Sequence, residues 1–409
     1  SSMNTARPPH SPGRYVPMAP PTSGAVPSLD EIRALPKVEL HAHLSGSISQ
    51  QKLVELLARR GNGDAFETFD CREHLKSEDT SKSLAKCFEY FDKVSRVVSD
   101  LATLRECALH VLDGFAEDRC LYLELRTSPK QFGLEGGQGT TKRQYLETVS
   151  GAVEEFRAYA QRRFGFVMEV GLLLSVDRGR VSSLAEARRQ VDDALTLAET
   201  CPELVVGVDV SGDPSRPSVV PYLIPALLER REAFRRLPIT FHTAEVADEE
   251  ESELIVRSLR ELNIRRLGHV CFLPEPCRQR LLAGGHLADG AALGIELCPT
   301  SNAVTRRLAS LEDHHFPDWW MQSDCVLVSV NTDDAGLFSC SLSGEVHGIA
   351  EAFGLSRQDV VELQRQALLS SFHRDKAALL ATFERLLSSS GRGGAVEAQG
   401  ALPTPLGRL

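Results

Sequence analysis

The chain has 409 residues, 42% of them hydrophobic and 25% charged, the balance of a globular protein with a sizeable core. Its formal net charge of -10 argues against a surface that coats nucleic acid, while leaving room for a small anionic ligand at a local basic patch. No run approaches the roughly 18 apolar residues of a membrane span, so neither nucleic acid nor a bilayer is an expected partner.

Residues 1–27 carry Pro8, Pro9, Pro12, Pro17, Pro20, Pro21 and Pro27 and few large apolar side chains, so a disordered arm is expected there. Residues 388–409, "SSSGRGGAVEAQGALPTPLGRL", are rich in Gly and Pro and read as a second loose tail. One domain, 28–387, is expected between them. Its ten cysteines are spread singly, with no CxxC pair and no signal peptide ahead of them. That pattern fits reduced, buried thiols in a cytoplasmic enzyme.

The domain opens with "KVELHAHL". Side chains alternate across a strand, so Glu39, His41 and His43 share one face and Val38, Leu40 and Ala42 the other. Two imidazoles on one face are either satisfied core histidines or half of a metal site. Seven further β-rich runs follow: "LYLELRTSP", "VMEVGLLLSVD", "VVGVDVSGD", "PITFHTAE", "RRLGHV", "GIELCPTSN" and "VLVSVNTDD". Helical stretches such as "SQQKLVELLARR", "SDLATLRECALHVLDGFAEDR" and "SSLAEARRQVDDALTLAE" separate them. This alternation predicts a (β/α)₈ barrel with extra helices and loops, the surplus falling at 61–84 and 130–143. An open doubly wound sheet is the alternative, but no Gly-rich phosphate fingerprint follows the first strand.

Nearly every predicted strand ends in polar residues. They are His41 and His43, Arg126 to Ser128, Asp177, Ser211 to Asp213, His242 with Glu245, His269, Ser301 with Asn302, and Asp333 with Asp334. In such barrels the active site forms at that end, from several strands at once. His41, His43, His242 and Asp333 supply three imidazoles and a carboxylate, a donor set suited to one zinc ion with a position left for water. Glu245, three residues after His242, is a candidate acid or base, and His269 on the next strand is placed to polarise the water. Asp334 either reaches the pocket beside Asp333 or caps a helix.

These residues carry a resemblance. "LPKVELHAHLSGSI", "YLELRTSP", "SGDP", "HTAE", "LGHV", "TSN" and "NTDD", in that order, resemble the adenosine deaminase family over roughly residues 29 to 385. The resemblance implies a metal-dependent hydrolase barrel whose zinc is held by His41, His43, His242 and Asp333. It further implies that Glu245 protonates purine N1, His269 stabilises the attacking hydroxide, Gly212 offers its backbone N–H to the purine, and Asp334 holds N7 and the water. Water adds at C6 and the amine leaves.

Two branches of that family differ at the ribose 5′ end. The nucleoside enzymes carry an aspartate in "HLDG", where this chain has Ser45 in "HLSG". A neutral hydroxyl removes repulsion against an anion and offers a donor. Thr127, Ser128 and Lys130 follow the second strand and suit a phosphate. "SKSLAKCFEYF", "HHFPDWW" and "NTDDAGLF" also resemble the adenosine deaminase-like branch, which acts on N6-methyl-AMP, although that branch usually has asparagine where Ser45 stands. The expected activity is therefore hydrolytic deamination of a 6-aminopurine 5′-monophosphate by a monomer. Adenosine deamination is the alternative, and a non-catalytic purine-binding barrel a remoter one. "HHFPDWW" either closes over the amine-leaving side or packs on its own aromatics.

Overall fold

In the computed structural model the described residues are 24–60, 80–133, 139–306, 308–320, 322 and 325–390, without the side chains of 80–86, 88 and 390. Most of the proline-rich arm, the C-terminal tail from 391 onward, Cys71 and residues 61–79 of the first expected loop lie outside them. The rest of that loop is the start of a helix, Thr80–Val97. The final helix, Lys376–Ser390, runs three residues past the point where the tail was expected to begin.

All eight predicted strands form and lie parallel in one sheet, in chain order. They are β1 (Lys37–His43), β2 (Cys120–Thr127), β3 (Glu169–Asp177), β4 (Val205–Ser211), β5 (Ile239–Thr243), β6 (Ile264–His269), β7 (Leu293–Leu297) and β8 (Val326–Val330). The sheet curls until β8 reaches β1, where Ala42 bridges Asp333. The strands are buried almost throughout, as parallel strands sheathed by helices must be. Sheathing helices show the matching apolar stripe: Leu184–Ala198 buries Ala187, Val191 and Ala194, one face at helical spacing. Ser183 caps its first turn by accepting from the Glu186 N–H.

The β1–β8 seam is closed partly by side chains. The Leu40 N–H donates to Asn331 Oδ1 at 3.0 Å, and the Val38 N–H to Gln364 Oε1 at 2.9 Å. The Val328 N–H donates to Gln366 Oε1 at 3.0 Å. Gln364 and Gln366 come from the helix Arg357–Ser370, which packs on β8 and β1. Buried backbone donors need partners, and these amides supply them where the ladder is incomplete.

The barrel interior is ionic where such barrels usually hold branched apolar residues. Arg126 donates to Asp209 at 2.8 Å and to Glu296, while Arg266 pairs with Glu296 and Glu124, all fully buried. Buried charges survive only when paired in this way. Of the nine cysteines among the described residues, six are buried. Among the described residues no helix is long and apolar enough to cross a membrane.

Candidate active site

At the C-terminal end of the strands four side chains converge. His41 Nε2 and His43 Nε2 lie 3.1 and 3.2 Å from His242 Nε2. Asp333 Oδ1 lies 3.5 and 3.4 Å from the same two β1 nitrogens. A tetrahedron of donors with bonds of about 2.0–2.1 Å has edges of roughly 3.3 Å, so this spacing fits one ion. The ring nitrogens facing away from the cluster fit as well. His41 Nδ1 meets Glu296 at 2.7 Å and His242 Nδ1 meets Asp209 at 3.1 Å, the carboxylate backing typical of metal-bound imidazoles. Both carboxylates are themselves held by Arg126.

The backbone around the cluster is turned in an unusual way. Ala244 (φ +53°), His269 (+66°), Val270 (+47°) and Asp333 (+59°) all occupy the left-handed region, which side-chain-bearing residues seldom adopt. The Ala244 turn explains Glu245. Strand alternation alone directs that residue away from His242, but the reversal returns it to the same cavity.

Glu245 is held there by a residue that the sequence did not single out. Arg178, just after β3, places Nη2 at 3.1 Å from Glu245 Oε1 and Nη1 at 3.1 Å from Glu251 Oε1. The same Nη2 donates to the Gly212 carbonyl at 3.2 Å. Burial pushes the Glu245 carboxyl above its usual value, and the charges of His242 and Arg178 pull it back in part. His269 Nε2 stands 3.9 Å from both Glu245 Oε2 and Asp333 Oδ2.

Asp334 sits at the start of the helix Ala335–Phe338, but its side chain makes no capping bond. Its Oδ1 is buried with no partner, a position that suits a ligand. Burial, then the charges of Asp333 and Glu245, hold its carboxyl well above the usual range. A Cβ on Gly46 would stand 1.7 Å from that oxygen, so the glycine of "HLSG" makes the room it occupies. Gly212 (φ +124°) is required too, because a Cβ there would meet Asp177 Oδ1 at 2.7 Å.

The cavity is about 430 Å³, within the range of sites that enclose a small organic ligand. His43, His242, Glu245, His269, Asp333, Asp334 and Gly212 line it together with Ser45, Thr127, Ser128 and Lys130. Ser45 and Ser128 are exposed, while the buried Thr127 hydroxyl meets the Tyr145 hydroxyl at 2.9 Å. Lys130 is half-buried, 3.2 Å from Ser95 Oγ, and burial followed by the charge of Arg180 lowers its pKa. Arg180 and Arg216, also missed in the sequence, line the same cavity. His314, His315, Trp319 and Trp320 do not. They are buried, His314 stacking on His315 and Trp320 on Phe316, so this segment packs on its own rings.

A parallel eight-stranded barrel with a four-donor cluster and buried carboxyls at the strand ends defines a hydrolase-type active site. The adenosine deaminase family model matches residues 36–383, and the chain belongs to that family and is a hydrolytic deaminase. N6-mAMP deaminase from Arabidopsis thaliana is 30% identical over 367 residues, covering 85% of this chain and 95% of that protein. The adenosine deaminase-like protein of Drosophila pseudoobscura pseudoobscura is 33% identical over 343 residues, covering 83% and 92%. The crystal structure of arabidopsis ADAL complexed with IMP superposes with a TM-score of 0.71 at 30% identity, covering 88% of this chain and 99% of that one.

Proposed function

We propose that the chain is a zinc-dependent deaminase of N6-methyl-AMP, releasing methylamine and leaving IMP. The reading is carried by one coincidence. The cavity onto which His43, His242 and Asp333 of the four-donor cluster open, with the partly buried Glu245 carboxyl, also holds Lys130, which no carboxylate pairs with among the described residues. A purine ring with an anionic arm suits both ends of it. The names of the relatives support the same substrate: an N6-mAMP deaminase aligns along most of its length, and a structural relative carries IMP.

His41, His43, His242 and Asp333 would hold one zinc ion. When bound, the ion supplies the Lewis acidity that lets a water ionise near neutral pH. The chain's own residues do the rest. Glu245, with its pKa raised by burial, gives a proton to purine N1 and draws electron density from C6. Asp334, held protonated by burial and by its acidic neighbours, donates to N7, which can only accept. His269 flanks the incoming water, and the Gly212 N–H orients the ring. Attack at C6 breaks the ring's aromaticity. The Glu245 carboxylate left by the transfer to N1 takes the proton of the new C6 hydroxyl and passes it to the amine, which leaves as C6 becomes a carbonyl. The proton given up when the water ionised restores the Glu245 acid. Ser45, Thr127, Ser128 and Lys130 take the 5′-phosphate.

A panel of N6-methyl-AMP, AMP, adenosine and adenine tests the reading. The highest kcat/KM is expected for N6-methyl-AMP. Faster turnover of free adenosine than of either nucleotide removes the phosphate half of the proposal, and turnover of none removes the whole.

A further inference from the structure

His269 is gripped from behind by a chain of hydrogen bonds that the chemistry above does not use. Its Nδ1 lies 3.0 Å from Asn302 Nδ2. Asn302 Oδ1 accepts from the backbone N–H of Cys298 at 3.1 Å and lies 3.2 Å from His314 Nε2. His314 Nδ1 accepts from the backbone N–H of Phe316 at 3.0 Å. Asn302 is fully buried and His314 nearly so.

A backbone N–H only donates, so the two backbone groups fix every proton between them. The Cys298 N–H requires the oxygen of the Asn302 amide on its side, which turns the NH₂ toward His269. The Phe316 N–H requires a bare Nδ1 on His314, which leaves that ring's proton on Nε2, donating to Asn302 Oδ1. Both constraints give the amide the same orientation. His269 Nδ1 must then accept from Asn302, and the single proton of the neutral ring sits on Nε2, the nitrogen 3.9 Å from Glu245 and Asp333. Burial also pushes the His314 pKa down to about 2, in keeping with a neutral ring there. His315 Nε2 donates to the His269 carbonyl at 2.7 Å and holds the turned backbone in place.

We propose that Asn302 and His314 are positioning residues that hold His269 in its Nε2–H tautomer, so that His269 donates a hydrogen bond to the attacking water and does not serve as its base. The inference rests on reading the cavity as a deaminase site. It assigns a purpose to the two buried histidines of "HHFPDWW", whose rings lie outside the cavity.

The zinc-loaded wild-type protein, labelled with ¹⁵N in its histidines, gives the direct test without substrate. The His269 signals are identified by their loss in His269→Asn. A proton bonded to Nε2 and a bare Nδ1 are expected, and a proton on Nδ1 overturns the proposal. The spectrum decides whether or not any purine is turned over, so failure of the tautomer and failure of the function are read separately. The kinetic arm is Asn302→Asp, whose carboxylate still accepts from Cys298 and His314 but offers His269 an acceptor in place of a donor. A fall in kcat of up to about 10⁴-fold is expected, the scale of a wrong histidine tautomer, with KM and zinc content unchanged. A zinc-loaded Asn302→Asp protein with wild-type kcat overturns the proposal.

Discussion

Asp333 and His43 meet twice. The His43 N–H donates to the Asp333 carbonyl at 2.9 Å, and the Asp333 carboxylate stands 3.4 Å from His43 Nε2. The Asp333 N–H in turn donates to the His41 carbonyl at 2.8 Å. The bonds that close the barrel are thus the bonds that set the spacing of three proposed metal ligands. Barrel closure and metal affinity are expected to be coupled as a result. His242→Ala, which removes the fourth donor, is expected to lose both bound zinc and turnover, measured by metal analysis and by amine release.

Glu245→Gln separates binding from chemistry. The amide fills the same space but has no acidic proton for N1. Zinc content and folding are expected to match wild type while kcat falls by about 10²- to 10⁴-fold, the usual worth of a positioned acid. Wild-type turnover in this variant removes Glu245 from the acid role.

With Glu245 as the proposed acid, Arg178 is expected to set the alkaline limit of the reaction. Burial raises the Glu245 pKa, and the cation at 3.1 Å lowers it again. An acid must be protonated to act, so activity is expected to decline as pH rises through that pKa. Arg178→Met removes the lowering influence, and the alkaline limb of kcat is expected to move to higher pH. A limb that moves to lower pH contradicts the assignment.

The carboxylates behind the imidazoles hold the rings in position. Asp209→Asn and Glu296→Gln are expected to weaken zinc binding by about 10- to 100-fold, as loss of such partners does elsewhere. Glu296 also anchors Arg126 and Arg266. Glu296→Ala is therefore expected to destabilise the fold by about 3–5 kcal/mol, the penalty for a broken buried ion pair, read by denaturant unfolding.

Lys130 should act on nucleotides alone. Lys130→Met is expected to raise KM for N6-methyl-AMP, with the defect shrinking at high salt as screening weakens the lost attraction, and to leave adenosine kinetics unchanged. An equal effect on adenosine places Lys130 elsewhere than at the phosphate.

The eight strands and the four-donor cluster were legible because each has a local signature. A His-x-His on an alternating strand and paired acids after an apolar run declare themselves within a few residues. The supporting charges do not. Asp209 and Glu296 lie inside the quoted strands "VVGVDVSGD" and "GIELCPTSN", yet a lone acid in a buried strand gains meaning only beside Arg126, 83 and 170 positions away. Arg178 likewise looks like a loop arginine until the Ala244 turn brings Glu245 to it. For Asp334 the residue type alone left capping and lining a pocket both open, and only the resemblance gave it a role. The absent capping bond and the partnerless Oδ1 distinguish them. Gln364 and Gln366 close the seam by long-range bonds that no sequence pattern marks.

The central claim is best tested by following N6-methyl-AMP with the purified chain before and after removal of its metal by a chelator. The prediction is one methylamine and one IMP formed per substrate, turnover abolished by chelation, and full recovery on adding one equivalent of zinc. Turnover that survives complete metal removal, or a zinc-loaded chain that releases no methylamine, contradicts it.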